Sequence, residues 1–360
     1  MLRLRRSVCR SGCAGTTRQC RTWCQIPLLE CPRRRQRLAA TSHGANTGAV
    51  PGTAILSYFS ASRRIIYYVL TLSNYRTPSR TLRVSIVLPV YNEAPRLAAC
   101  LRAIAQQTCR PYEVIVVDNN STDNTVQIAN SFPFVRLLHE PRQGVVHART
   151  TGFDAANGDI IGRIDGDTVL SADWVESVQY LFAETDVDAV TGKMLYRDIA
   201  WRELVGRIDL GFRRHFARVL GREVALQGAN MALRRTAWQT VRPQLCTRGG
   251  IHEDFDLAIH LNRAGLNVRF DESLVAEIGY RQAGCGYGGF MKYVLQSPHT
   301  YAVHGLKSRR HMYKVVVFLA VMYPAITLLY RGYSMQDERF ALRNFLTPQA
   351  ARVNPADFVE

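Results

Sequence analysis

From residue 83 onward, apolar and polar positions fall into short alternating blocks. "RVSIVLPVYNE" (83–93) is β-branched and apolar, then breaks into a polar turn, which predicts a buried strand and a loop. Leu97, Leu101, Ile104 and Ala105 then recur at helical spacing. "YEVIVVDNNSTDNT" (112–125) predicts a second strand, with Ser121, Thr122 and Asp123 as caps for a helix over "TVQIANSF". "FVRLL" (134–138) predicts a third strand, residues 144–156 a helix, and "GDIIGRID" (158–165) a fourth strand. Strands alternating with helices in this way predict βαβ units, hence an α/β fold with a mostly parallel sheet covered on both faces.

In open α/β sheets, ligands bind at the carboxyl ends of the strands. Three of the predicted strands end there in polar groups: Tyr91, Asn92 and Glu93; Asp118 and Asn119; Asp165 and Asp167. Asp165 and Asp167 flank a single glycine in "GRIDGDTVLSADW" (162–174) and repel each other unless something cationic compensates them. Carboxylates at this spacing suit a hard cation, Mg²⁺ or Mn²⁺, completed by substrate phosphates. Gly166 would let a diphosphate approach the backbone. Asp-Gly is also a common surface turn, and it is the convergence of three strand ends that favours a site. The first strand is followed by "PVYNEAPRL" without a glycine, which argues against a dinucleotide-binding fingerprint, and there is no phosphate-binding P-loop.

Charge and cysteine divide the chain. The formal net charge is +17, and residues 1–80 hold fourteen Arg, no Lys and one acid, Glu30, which leaves only +4 for the rest. This basic N-terminal tail reads as a transit peptide or a disordered arm. Residues 62–75, apolar with Tyr and basic flanks, suit an interfacial helix within it, or packing onto the body. Cys9, Cys13, Cys20, Cys24 and Cys31 lack histidines at ligand spacing, which argues against zinc there. Cys100, Cys109, Cys246 and Cys285 are scattered and read as buried or idle thiols.

The motifs "VSIVLPVYNE", "EVIVVDNNSTDNT", "GVVHARTTGFDAANGDIIGRIDGDT", "QGANMALRR" and "HEDFDLAIHLNRAG" occur in the order seen in family 2 glycosyltransferases. The chain resembles that family over about residues 83–270. The resemblance implies the GT-A fold, a Rossmann-like, mostly parallel sheet flanked by helices. It places Pro89, Tyr91 and Glu93 beside a nucleotide-sugar donor, with Tyr91 stacking on the base. Asp118 and Asn119 would read the base, and Arg149 would lie near the diphosphate; Asn119 and Thr150 depart from the usual residues. Asp165 and Asp167 match the DXD motif, with Asp167 the direct metal ligand and Asp165 a second ligand or ribose contact. Asp254 would be the base that takes a proton from an acceptor hydroxyl, while Glu253 and His252 would orient the acceptor. Without the upstream motifs, Glu253 and Asp254 would read as helix-capping acids. Asn230 would lie on the acceptor side, and Arg234 and Arg235 would meet the diphosphate or form a solvated pair. The tryptophan of processive members is missing after Arg281 and Gln282, which implies a non-processive enzyme.

"VVVFLAVMYPAITLLY" (315–330) is uncharged and follows the basic "KSRRHMYK" (307–314). As a helix it would reach about 24 Å, short of a roughly 30 Å hydrocarbon core. It reads as a C-terminal membrane-associated helix, or alternatively a buried core helix. The expected organisation is a tail over 1–80, a catalytic domain over 81–285 and a membrane-associated region over 286–360. The expected protein is an inverting, metal-dependent transferase at the cytoplasmic face of a membrane, peripheral or held by one helix. Its partners would be a nucleotide-sugar and a lipid-linked or cell-surface glycan acceptor, with no nucleic acid. Three readings compete with it. A nucleotidyltransferase would show a Gly-rich basic loop, which is missing. A basic nucleic-acid- or membrane-binding protein would rest on the tail alone. A nucleotide-sugar-binding protein without turnover would rest on Asn119 and Thr150.

Overall fold

The computed structural model of the protein describes residues 53–58, 66–71, 81–183, 186–199, 201–220, 225–247, 249–279, 285–334 and 339–340. The cysteine-rich tail, Arg281 and Gln282 lie outside them. The interfacial helix expected over 62–75 is not what forms. Ile66–Thr71 is a strand (β2), antiparallel to Thr53–Tyr58 (β1). Its run of β-branched and aromatic residues favours extended backbone.

The predicted strands are β3 (Val84–Val90), β4 (Glu113–Asp118), β5 (Val135–His139) and β6 (Ile160–Arg163). Between them lie α1 (Ala94–Ala105), α2 (Thr125–Asn130) and α3 (Val145–Ala155). β3 pairs in parallel with both β4 and β6, and β4 with β5. The chain thus winds outward through β4 to β5 and returns to the other side of β3. That reversal is the switch point at which an open sheet leaves a crevice.

Alternate residues of these strands face opposite layers. Ile86, Leu88, Val114, Val116 and Ile160 pack with Leu97, Leu101 and Ile104 of α1 and with Trp174, Val178 and Phe182 of α4 (Trp174–Ala183). Val87, Ile115, Val117 and Ile161 pack with Phe153, with Trp238 of α6 (Arg235–Val241), and with Leu257 and Leu261 of α7 (Glu253–Arg263).

The sheet continues through strands that the apolar pattern did not announce. They are β7 (Val169–Leu170), β8 (Ala189–Tyr196), β9 (Met231–Arg234) and β10 (Val268–Ile278), and the spatial order is β5-β4-β3-β6-β9-β8-β10-β7. β9 is antiparallel to both β6 and β8, whereas β8 and β10 are parallel. The whole is a mixed, mostly parallel sheet flanked by helices, the GT-A arrangement.

Two helices follow α7: α8 (Gly286–Val303) and α9 (Arg309–Gly332). They pack through Phe290, Val294, Val316 and Tyr323. α9 is longer than the uncharged run, because the basic residues before it join the same helix. Its 24 residues reach about 36 Å. Its most apolar window has a mean hydropathy of 1.9 and is only 17% buried, so it is not a core helix. Val317, Val321 and Leu328 on α9, and Leu204 and Ile208 on α5 (Arg202–Leu220), are exposed, and Phe212 of α5 stacks on Phe318. Of the scattered cysteines, Cys100, Cys246 and Cys285 are thiols, whereas Cys109 is disulfide-bonded.

Candidate active site

The loops after β3 and β4 are tied together at the switch point. Asn92 adopts a left-handed backbone (φ +52°), and its N–H donates to Ser121 Oγ at 3.0 Å while its Oδ1 accepts Thr122 N–H at 2.8 Å. Glu93 N–H donates to Thr125 Oγ1 (2.8 Å) and Ala94 N–H to Asp123 Oδ2 (3.1 Å). Ser121 and Thr122 therefore bind the β3 loop, while Asp123 serves the starts of both α1 and α2. Asp118 is buried at the end of β4; it accepts Ser121 N–H at 3.2 Å and faces His139 Nδ1 at 3.4 Å.

The turn after β6 comes next. A Cβ on Gly166 would sit 2.9 Å from Val90 Cγ1 and 3.1 Å from Glu93 Cγ. Tight packing against the β3 loop, and not only ligand approach, therefore favours glycine here. Thr168 N–H closes the turn on Asp165 C=O, and Arg197 donates to Asp167 C=O at 2.6 Å. The Asp165 side chain is 41% exposed, while Asp167 is buried.

The cation that compensates Asp165 is part of the chain. Arg163 Nη2 lies 3.1 Å from Asp165 Oδ1 and 3.1 Å from Glu253 Oε1, with the arginine side chain only 4% exposed. It joins the acidic turn to the start of α7. Gly228 makes the passage possible, since a Cβ there would fall 1.0 Å from Arg163 Nη1. Arg163 was not singled out from the sequence. Its signal was an arginine interrupting an otherwise apolar strand two residues before Asp165.

At the start of α7, Asp254 Oδ2 accepts Gly228 N–H at 3.0 Å and Oδ1 accepts Phe255 N–H at 2.9 Å. Burial, then the neighbouring Glu253, push its carboxyl up to about 7. Burial would raise Glu253 too, but Arg163 and Arg149 outweigh it and hold that carboxyl below its ordinary value. Two adjacent carboxyls are thus driven apart, one held ionised by arginines and one poised to exchange a proton near neutrality.

A family model described as glycosyl transferase family 2 matches residues 85–241. The chain is 30% identical over 179 residues to glycosyltransferase AglE of Haloferax volcanii, covering 47% of this chain and 59% of that one. It is 38% identical over 125 residues to a PGL/p-HBAD biosynthesis glycosyltransferase of Mycobacterium bovis, covering 33% and 49%. These matches span only about half the length of the relatives. Among solved structures, mannosyltransferase PcManGT from Pyrobaculum calidifontis, in complex with GDP-Man and Mn²⁺, has the same fold, with a TM-score of 0.52 at 23% identity, covering 70% of this chain and 75% of that one.

Not every residue expected at the site is available to a ligand. Asn230 is fully buried. Its Oδ1 accepts Trp174 Nε1–H at 2.8 Å, and its Nδ2 donates to Lys193 C=O and Leu274 C=O, both at 3.0 Å. The acceptor-side role does not hold for it, because every amide atom is engaged in holding the sheet. Asn119 spends its amide on the loop before α3, donating to Glu140 and Arg142 C=O and accepting Gly144 N–H at 2.7 Å. Arg149 is buried; it donates to Glu253 C=O at 2.7 Å and lies 5.7 Å over the Trp238 ring. Thr150 turns back to Val146 C=O. Arg234 donates to the Val187 and Phe182 carbonyls and Arg235 to Gly158 C=O, so both are engaged with backbone of the fold. His252 is buried with its ring 4.7 Å from Tyr293 and its N–H on Thr300 Oγ1, so burial lowers its pKa and it braces α7 against α8.

Proposed function

We propose that the protein is an inverting, metal-dependent glycosyltransferase that moves a sugar from a nucleotide-diphosphate donor to a hydroxyl of a membrane-seated acceptor. One observation carries the reading. Arg163 links Asp165, at the switch-point turn, to Glu253, beside Asp254. A donor held at the turn and an acceptor held at α7 would then share one rigid frame.

Pro89, Tyr91, Glu93 and Asp118 would line the nucleotide end of the crevice. Asp165 and Asp167 suit a divalent cation, since both offer hard oxygen ligands from one turn and Asp165 is half-exposed at its mouth. Mn²⁺ or Mg²⁺ bound there would offset charge on the departing diphosphate. PcManGT, of the same fold, was solved with GDP-Man and Mn²⁺, which supports the assignment. Asp254 would take the acceptor hydroxyl proton while that oxygen attacks the anomeric carbon from the face opposite the diphosphate. Two backbone N–H groups fix the orientation of its carboxylate. Glu253 would not touch substrate. It holds Arg163 in place and is thus a positioning residue.

The exposed apolar residues of α5 and α9, beside Arg309, Arg310 and Lys314, suit a lipid surface with anionic head groups. A polyprenyl-linked or other lipid-linked acceptor would be presented there.

The test is release of nucleoside diphosphate from UDP-, GDP- and dTDP-sugars, with lipid acceptor extract, under Mn²⁺, Mg²⁺ or EDTA. Release from one donor that is abolished by EDTA and by Asp167→Asn is expected. Release unaffected by both would overturn the metal-dependent mechanism. Calorimetry showing no binding of any donor nucleotide would overturn the transferase reading.

A further inference from the structure

A second cluster begins two residues further along α7, at Asp256. Cys246, Asp256, His260 and His304 offer one thiol, one carboxylate and two imidazoles, and their ligand atoms all lie within 4.8 Å of one another. They come from three segments: the loop after α6, successive turns of α7, and the residue that ends α8. Asp256 and His260 are four apart and share one helix face.

Asp256 is fully buried, and its Oδ1 faces His304 Nε2 at 2.8 Å and His260 Nε2 at 3.5 Å, while its Oδ2 accepts Cys246 N–H at 3.0 Å. His260 is the decisive member. Its side chain is 9% exposed, yet neither ring nitrogen has a hydrogen-bond partner among the described residues. A buried imidazole with both nitrogens unsatisfied costs free energy, and a metal ion at the centre of the cluster would supply a partner for one of them.

We propose that these four residues bind one Zn²⁺, a structural site distinct from the acidic turn. The donor set distinguishes it from a Mg²⁺ or Mn²⁺ site, since thiolate and imidazole suit a borderline-soft ion in tetrahedral geometry. Zinc bonds of 2.0–2.3 Å place ligand atoms about 3.3–3.8 Å apart, so the widest pairs, within 4.8 Å now, would close by about 1 Å while the His304–Asp256 pair opens from 2.8 Å. Loading releases the Cys246 thiol proton to solvent, and thiolate plus carboxylate then neutralise the ion. His304 binds through Nε2, and its proton moves to Nδ1. Arg263 now lies 3.2 Å from Nδ1, and because that arginine is exposed it can swing away. The bound ion would clamp the end of α8 to the helix that begins with Glu253 and Asp254.

The test is metal content of the full chain purified from zinc-supplemented medium, with Co²⁺ titration of the stripped protein as a second readout. The expected result is about one equivalent of zinc per chain and a thiolate-to-Co²⁺ absorption band. Cys246→Ser and His304→Gln should each lose the band and most of the zinc, while Cys285→Ser and Asp167→Asn keep both. Zinc should raise the thermal midpoint of wild type by several degrees. A wild-type chain with neither zinc nor band would overturn the site. Full retention in Cys246→Ser and His304→Gln would overturn it too, by assigning the zinc to other cysteines. Should those variants not fold, His260→Gln decides instead: loss of most of the zinc supports the site, and full retention overturns it.

Discussion

α7 carries two clusters of opposite chemistry within two turns. At its start, Glu253 and Asp254 are surrounded by buried arginines, and Arg163 spans to Asp165. Two residues on, Asp256 meets two imidazoles and a thiol, and His260 is left without hydrogen bonds among the described residues. The first cluster balances its charge from within the chain, which leaves Asp254 able to accept a proton. The second offers ligands from three segments to the proposed cation. The same buried carboxylate chemistry thus serves reactivity in one place and cross-linking in the other, and the neighbours decide which.

Asp254→Asn removes the proton acceptor while keeping its size. It is expected to lower kcat by about 10²–10⁴-fold with bound zinc unchanged, read by steady-state kinetics and metal analysis on the same preparation. A loss of zinc in this variant would mean that the two clusters are one unit.

Arg163→Met leaves Glu253 buried without its closest cation. A loss of about 3–5 kcal/mol in denaturant stability is expected, together with lost activity, because removing one partner strands the other charge. An unchanged midpoint would show that the Asp165–Arg163–Glu253 link carries no weight. Gly228→Ala should act in the same direction, since its methyl collides with the Arg163 guanidinium. Its effect should vanish in the Arg163→Met background, where the flexible methionine can yield, and a double-mutant cycle measures that coupling.

His260→Gln should have the smallest effect on turnover. Zinc is lost and the thermal midpoint falls by several degrees, while kcat at moderate temperature drops less than about tenfold, because no atom of His260 is proposed to touch substrate. A kcat loss as large as that of Asp254→Asn would place the second cluster in the chemistry.

The parallel half of the sheet was legible because each strand is a compact apolar run followed by its own helix. The acidic turn and the Glu253–Asp254 pair could be read for a similar reason, being short motifs in a recognisable order. The residues that bind those pieces together were not legible. Arg163 looked like an interruption in a strand, and Asn230 looked like a polar residue awaiting a ligand. Both are explained by partners distant in the chain, Glu253 for Arg163 and Trp174 and Leu274 for Asn230. Cys246 read as an idle thiol because His260 lies fourteen residues on and His304 fifty-eight.

By itself, then, the sequence determined the α/β alternation, the switch-point turn, the start of α7 and an apolar C-terminal helix. These follow from local periodicity, turn chemistry and capping, which need only neighbours in the chain. Tertiary structure alone decided the antiparallel insertion of β9, the strand at Ile66–Thr71, the arginine link across the crevice and the four-ligand cluster. Each depends on pairing distant segments, and no local period records which distant segment will complete a buried charge or a sheet edge.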